Sequence, residues 1–309
     1  MNNSLSIIMY HNVKEVKKPQ FPKLNVLEFS EFKNQLDYLQ KNYNILGFED
    51  FLYCTKNKKK LPENACMLTF DDGYKDHIQY VLPELIKRKI KGLFFPSGKA
   101  VLENIIMDVD YIHLILACVS DNQRLIKKLN LLCEASGFTE KEIKMNWKKY
   151  AIPTRFDSKE VRYAKGVLQN MFPINMRYKI LHNLFKYFVK LEPKSVSKNL
   201  YLSLGDLKEL LTNKMYIGGH GYNHLWMKKE NKDIQKKEID LTLKFLKKIR
   251  AQTKNWVMCY PFGSYNLDTI SLLKENDCMA ALTIKLGVNK LSLKNLFELK
   301  RFDTNDFPK

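Results

Sequence analysis

The segment 68–74 reads Leu-Thr-Phe-Asp-Asp-Gly-Tyr, an apolar run that stops at two adjacent carboxylates and a glycine. Neighbouring carboxylates repel one another unless a cation or a shared proton relieves them, so Asp71 and Asp72 ask for a metal or a proton held in common. Downstream, residues 218–224 (Gly-Gly-His-Gly-Tyr-Asn-His) supply two imidazoles four positions apart, and residues 259–266 follow as Cys-Tyr-Pro-Phe-Gly-Ser-Tyr-Asn. One Asp with two His makes a facial donor set for zinc or a similar divalent ion, leaving positions open for water and substrate. On an extended chain the side chains of Asp71 and Asp72 point to opposite sides, so the two are expected to do different jobs.

Such residues need elements that bring them together. Short apolar runs predict strands over 5–10, 65–70, 92–95, 215–219, 256–260, 279–283 and 299–302, and amphipathic spacing predicts helices over 28–41, 76–89 and 233–251. Strands alternating with helices imply parallel pairing in an α/β sheet or barrel, where chemistry gathers at the C-terminal strand ends. Asp71 and Asp72, His220 and His224, and residues 261–265 each sit just after an expected strand. Between 101 and 202 the pattern changes to successive helices, expected over 111–119, 123–136, 159–171 and 175–190. The domain reading is therefore one unit built from 1–100 and 203–309, with 101–202 as a helical insertion. That insertion is a lid or substrate-shaping element, or a set of peripheral helices without a role at the site.

A chain of 309 residues with 45% hydrophobic content can bury a full core, as one large α/β domain or two smaller ones. The first residues show no basic n-region, long apolar h-region or small-residue cleavage site, and no stretch approaches the roughly 18 apolar residues of a membrane span. The expectation is a protein kept in the cytoplasm. Six cysteines are scattered without Cys-x-x-Cys spacing, which argues against a structural zinc and a disulfide scaffold. The formal charge of +19 comes from 45 Lys and 7 Arg against 33 acidic residues. A solvated lysine-rich surface is the first reading; attraction to a phosphate-bearing substrate or an anionic membrane face is the second; nucleic acid is not expected.

Taken in order, Thr-Phe-Asp-Asp-Gly at 69–73, His220-x-x-x-His224 and Tyr260-Pro261-Phe262-Gly263 resemble the polysaccharide deacetylases of the NodB-homology type, carbohydrate esterase family four. The resemblance runs from the first strand to the C-terminus with a gap in the middle. It implies a distorted (β/α) barrel with mostly parallel strands, here with a large helical insertion. It also implies a metal-dependent hydrolase of carbon–nitrogen bonds other than peptide bonds, which removes the N-acetyl group of an amino sugar. By this resemblance Asp71 is the general base, and Asp72, His220 and His224 hold a divalent metal, zinc first, with nickel, cobalt or manganese as alternatives. The Tyr74 backbone amide supports the oxyanion, and Tyr260, Pro261, Phe262, Gly263 and Tyr265 form the substrate wall.

The chain also departs from that pattern. Gly221 stands where the family carries Ser or Thr, which removes a hydroxyl that braces the loop. Cys259 stands where Arg is common and Phe262 where Tyr is common, so Arg301 becomes the candidate for orienting Asp71. His224 is the last histidine, and Leu282-Thr283 occupies the place of the family's late His. His11, at the end of the first strand, is the substitute general acid, a pocket residue, or a residue that simply packs at the strand end. His77, His113 and His182 are expected to be structural. The substrate expected is a nucleotide- or lipid-linked amino sugar on the cytoplasmic side, whose phosphates would suit the basic surface; a peripheral contact with the inner membrane face is a further expectation. A deformylase or other C–N hydrolase of the same fold, and a non-catalytic glycan-binding relative, are the alternatives.

Overall fold

The computed structural model describes residues 4–16, 21, 23–154, 157–292 and 295–308. It divides into two compact units. The first combines the N-terminal segment through Val16 with Val26–Ile105 and the chain from Ser197 onward; the second is Ile106–Val196 with a short stretch ahead of Val26.

In the first unit seven short strands form a ring: β1 (Ser4–Tyr10), β2 (Ala65–Asp72), β3 (Leu93–Pro96), β4 (Tyr216–Ile217), β5 (Trp256–Cys259), β6 (Cys278–Leu282) and β7 (Phe302–Asp303). β1 pairs β2 in parallel from Leu5 opposite Ala65 to Tyr10 opposite Phe70, and β2 to β3 and β3 to β4 continue in parallel. Single parallel bridges, Gly219 with Met258 and Leu282 with Leu299, join β4 to β5 and β6 to the segment leading into β7. β5 pairs β6, and β7 returns to β1 at Ile8 opposite Phe302. The ring is a distorted (β/α) barrel, loosest where one bridge replaces a ladder. The two-residue strand Asn289–Lys290 pairs antiparallel with the start of β1.

Strand alternation sorts the side chains. In β2 every residue is buried, as expected of a strand covered on both faces. Ala65 and Met67 pack inside the ring with Leu5, Ile7, Val257 and Cys259. Cys66, Leu68 and Phe70 pack outward with Phe32 and Leu36 of the helix Phe29–Asn42. Each such buried Leu or Phe contributes about 1.5–3 kcal/mol. The same parity aims Asp71 inward with Met67, Cys259 inward with Val257, and Arg301 inward with Leu299. Helices Lys232–Lys248 and Leu267–Glu275 are capped by Asn231 and Asn266, whose side chains accept the amides of Ile234 and Thr269.

One expected helix is interrupted. Over 76–89 the chain first makes a π-turn at His77–Val81, with the Leu82 amide on the His77 carbonyl, and becomes α-helical over Leu82–Lys87. Pro83 has no N–H to continue the regular ladder, and the register slips by one residue ahead of it.

The second unit carries helices Asp108–Cys118, Asn122–Ala135, Glu140–Tyr150, Lys159–Asn170 and Ile174–Phe188. Tyr111 meets Phe185 edge-on at 5.1 Å, and Tyr163 packs against Trp147 while donating its hydroxyl to Asn130. Helix Glu140–Tyr150 was not expected from its sequence, because Ile143 is its one fully buried residue and its other positions are mostly charged. Pro193–Leu200, a further helix missing from the expectation, leads back into the first unit. All six cysteines are free thiols. Among the described residues no helix is long and apolar enough to cross a membrane.

Candidate active site

β2 ends in an abrupt turn. Asp71 keeps the inward direction of its strand, but Asp72 takes a left-handed φ of 67° and Gly73 follows at 73°. A Cβ on Gly73 would lie 2.6 Å from the Cβ of Pro96, so only glycine lets the turn pass β3. The left-handed step at Asp72 redirects a carboxylate that strict alternation would send outward.

The redirected carboxylate meets both imidazoles. Asp72 Oδ1 lies 3.3 Å from His220 Nε2 and 3.4 Å from His224 Nε2, and the two Nε2 atoms are 3.2 Å apart. Bonds of about 2.0–2.1 Å to a tetrahedral ion place its ligand atoms about 3.3 Å from one another, so this triangle fits such an ion with a fourth position open. His220 Nδ1 is 2.9 Å from the Cys259 carbonyl; with Nδ1–H donating there, the Nε2 lone pair is left for a metal. His224 is packed edge-on by Phe262, with ring centres 4.6 Å apart. Burial opposes ionisation of Asp72, yet the two imidazoles overcome it and hold its carboxyl well below the usual range.

Asp71 has other partners. Arg301 grips it with two guanidinium nitrogens, Nη1 to Oδ1 at 2.9 Å and Nη2 to Oδ2 at 2.8 Å, and both side chains are at least 98% buried. Arg301 Nε donates to the Thr283 carbonyl, and the Cys259 thiol donates to Asp71 Oδ2 at 3.4 Å. Burial would raise the Asp71 pKa, but the Arg301 charge outweighs it and lowers it. His11 Nε2 stands 4.0 Å from Asp71 Oδ2 with its side chain 42% exposed. The His11 carbonyl accepts Nε2–H of His77, an interior histidine whose imidazole burial pushes down to about 4.

The structure thus brings Asp72, His220 and His224 into one cluster and Asp71, Arg301 and His11 into a second, adjoining one. Tyr74 follows the turn with its ring stacked on Tyr201. Tyr260 and Pro261 depart from the expected substrate wall and are corrected here: both side chains are buried. Parity explains Tyr260, which points outward into the helix layer next to inward Cys259, with its hydroxyl on the Phe297 carbonyl. Phe262, at φ 58° and stacked on Trp226, and Tyr265, whose hydroxyl donates to Glu298, are partly exposed.

Sequence reasoning missed two supports. Cys259 was read as a lost arginine, whereas its thiol and its carbonyl touch both clusters. Glu238 carried no signal beyond being an acidic residue on an amphipathic helix; it is 1% exposed and bonded to Asn223 between the two site histidines. His77, expected to be structural, is an interior residue bonded to the His11 carbonyl.

Comparison with known proteins adds an independent finding. The family model described as Polysaccharide deacetylase matches residues 58–130 and 187–281, more than half of the chain. The Bacillus subtilis (strain 168) protein YxkH, named by inference as a polysaccharide deacetylase, is 32% identical over 98 residues. That match spans 31% of this chain and 33% of the relative's length. Among solved structures, the Streptococcus pyogenes deacetylase PplD in complex with acetate superposes with a TM-score of 0.59 at 17% identity, over 98% of this chain and 93% of that one. IcaB from Ammonifex degensii does so with 0.57 at 15%, over 96% and 90%. A de-N-acetylase from Aggregatibacter actinomycetemcomitans gives 0.57 at 14%, over 97% and 95%. At such identities these likenesses speak for the fold.

Proposed function

Because this chain belongs to the polysaccharide deacetylase family, we propose that it hydrolyses the N-acetyl group of an amino sugar with a divalent metal held by Asp72, His220 and His224. The observation that carries this reading is the separation of the two carboxylates: Asp72 completes a donor triangle of metal size, and Asp71 stays outside it in the grip of Arg301. A divalent ion held there, zinc first, would polarise the acyl carbonyl and acidify an adjacent water.

The chain's own residues supply the rest. Asp71, kept ionised by Arg301, accepts the proton of the attacking water; Arg301 fixes the direction from which it does so. The Tyr74 amide donates to the oxygen that becomes negative as water adds to the carbonyl carbon. As the C–N bond breaks, His11 delivers a proton to the departing amine, giving a free amino sugar and acetate. His11 suits this task because it stands beside Asp71 and is open to solvent. Phe262 and Tyr265 border the substrate. The surplus of basic side chains favours a phosphate-bearing substrate, such as a nucleotide- or lipid-linked amino sugar on the cytoplasmic side. A lid or substrate-shaping role for the helical unit belongs to the same proposal and rests on its place in the chain between β3 and β4.

The test is acetate and formate release from N-acetyl and N-formyl amino sugars, with and without a chelator and after restoring each divalent ion. Acetate release lost to the chelator and recovered with zinc is the expected result. Release that ignores the chelator contradicts the metal reading. Formate alone makes the protein a deformylase, and neither product from the metal-loaded protein makes it a binding relative.

A further inference from the structure

We infer that Glu238 is a positioning residue for the metal site, setting the loop between His220 and His224 in the conformation that lets both imidazoles reach one ion. This rests on the metal reading above and goes beyond it, since Glu238 lies on the helix Lys232–Lys248 and belongs to no motif of the site.

The carboxylate is almost entirely buried, and its hydrogen bonds run to the loop. Asn223 donates its backbone N–H to Oε1 at 2.6 Å and its side-chain amide to Oε2 at 2.7 Å. A buried carboxylate that accepts both the backbone and the side-chain N–H of one residue fixes the backbone direction at that residue. This loop needs fixing. Gly221 and His224 both have left-handed φ values, 71° and 57°, and for a residue with a Cβ that conformation costs about 1–2 kcal/mol unless the surroundings impose it. The fit is close: a Cβ on Gly221 would come within 2.8 Å of Glu238 Oε1, so a side chain there would push the carboxylate away.

The two histidines depend on this brace unequally. His220 is tied through its ring to the Cys259 carbonyl, whereas His224 is packed by Phe262 and takes its position from the loop backbone. Releasing the loop therefore moves His224 off the Asp72–His220 edge. A purely structural Glu238 would stabilise the fold and leave metal affinity alone.

The experiment measures zinc affinity of the full chain by competition with a chromogenic chelator, alongside thermal unfolding of the zinc-free protein. Glu238→Ala is expected to weaken zinc binding about 10–100-fold, as loss of a group supporting metal ligands does. Glu238→Gln keeps one acceptor oxygen and is expected to lose about 2–10-fold, the worth of about one hydrogen bond. Gln235→Ala, a buried residue of the same helix bonded to Glu230 and Asn266, should lower the melting temperature without changing zinc affinity. Asp72→Ala should abolish binding. If the wild type takes no zinc, or Asp72→Ala retains it, the metal reading falls and this inference with it. If those two behave as stated but Glu238→Ala binds zinc like the wild type, the inference alone is overturned. Should Glu238→Ala fail to fold, wild-type affinity in Glu238→Gln overturns it equally.

Discussion

The site has two halves built on consecutive residues, and they differ in kind. Around Asp71 lies a buried ion pair, with Arg301 and the Cys259 thiol taking three of the carboxylate's acceptor positions and leaving one side open toward His11. Around Asp72 lies a triangle of donors with little to hold it at short range except what would bind inside it. One left-handed backbone step at Asp72 produces the difference, because it breaks the alternation that would have sent the second carboxylate out of the ring. Adjacent carboxylates at a strand end can turn to different partners when the second takes a left-handed φ.

The sharpest division should appear in turnover. Asp71→Asn removes the proposed base but keeps the side chain's shape, so kcat should fall about 10²–10⁴-fold; a variant with near-wild-type kcat would show that the Asp71 half is not catalytic. Next comes the interior pair. Arg301→Met leaves Asp71 buried and uncompensated, which should cost about 3–5 kcal/mol in urea unfolding, and adding Asp71→Asn should recover part of that loss. Full additivity of the two changes would mean that they do not act as a pair.

The smallest effect concerns pH. His77, which holds the His11 backbone, titrates at about 4 in the folded protein against an ordinary value of 6.5. A folded value depressed in this way means that the unfolded chain takes up the proton first as pH drops. Stability from this group is complete above 6.5 and is lost between 6.5 and 4, by about 3 kcal/mol. Unfolding measured across that range should show the fall in the wild type and a shallower one in His77→Gln. An equal slope in both would remove His77 from the account.

Much of the barrel could be read from the residues, because β2 is a continuous apolar run and the motifs sit directly after strands. Parity even anticipates Arg301, two positions beyond Leu299 on the same inward face. What escaped depends on three-dimensional partners. Nothing local marks Glu238 as facing a loop fifteen positions earlier, and Tyr260 reads as wall until alternation beside Cys259 turns it into the helix layer. Helix Glu140–Tyr150 was missed because its charged face outweighs the single residue it buries fully, and the π-turn at His77 because a proline six residues on controls it. The loop-bracing hydroxyl expected after His220 is absent, but the Glu238 carboxylate reaches the same loop from a helix.

The central claim is that metal is held from the Asp72 side and not from the Asp71 side. Zinc affinity of Asp71→Asn and Asp72→Asn, measured side by side, tests it most directly. The account predicts that Asp72→Asn loses zinc while Asp71→Asn keeps it; loss in Asp71→Asn with retention in Asp72→Asn would contradict it.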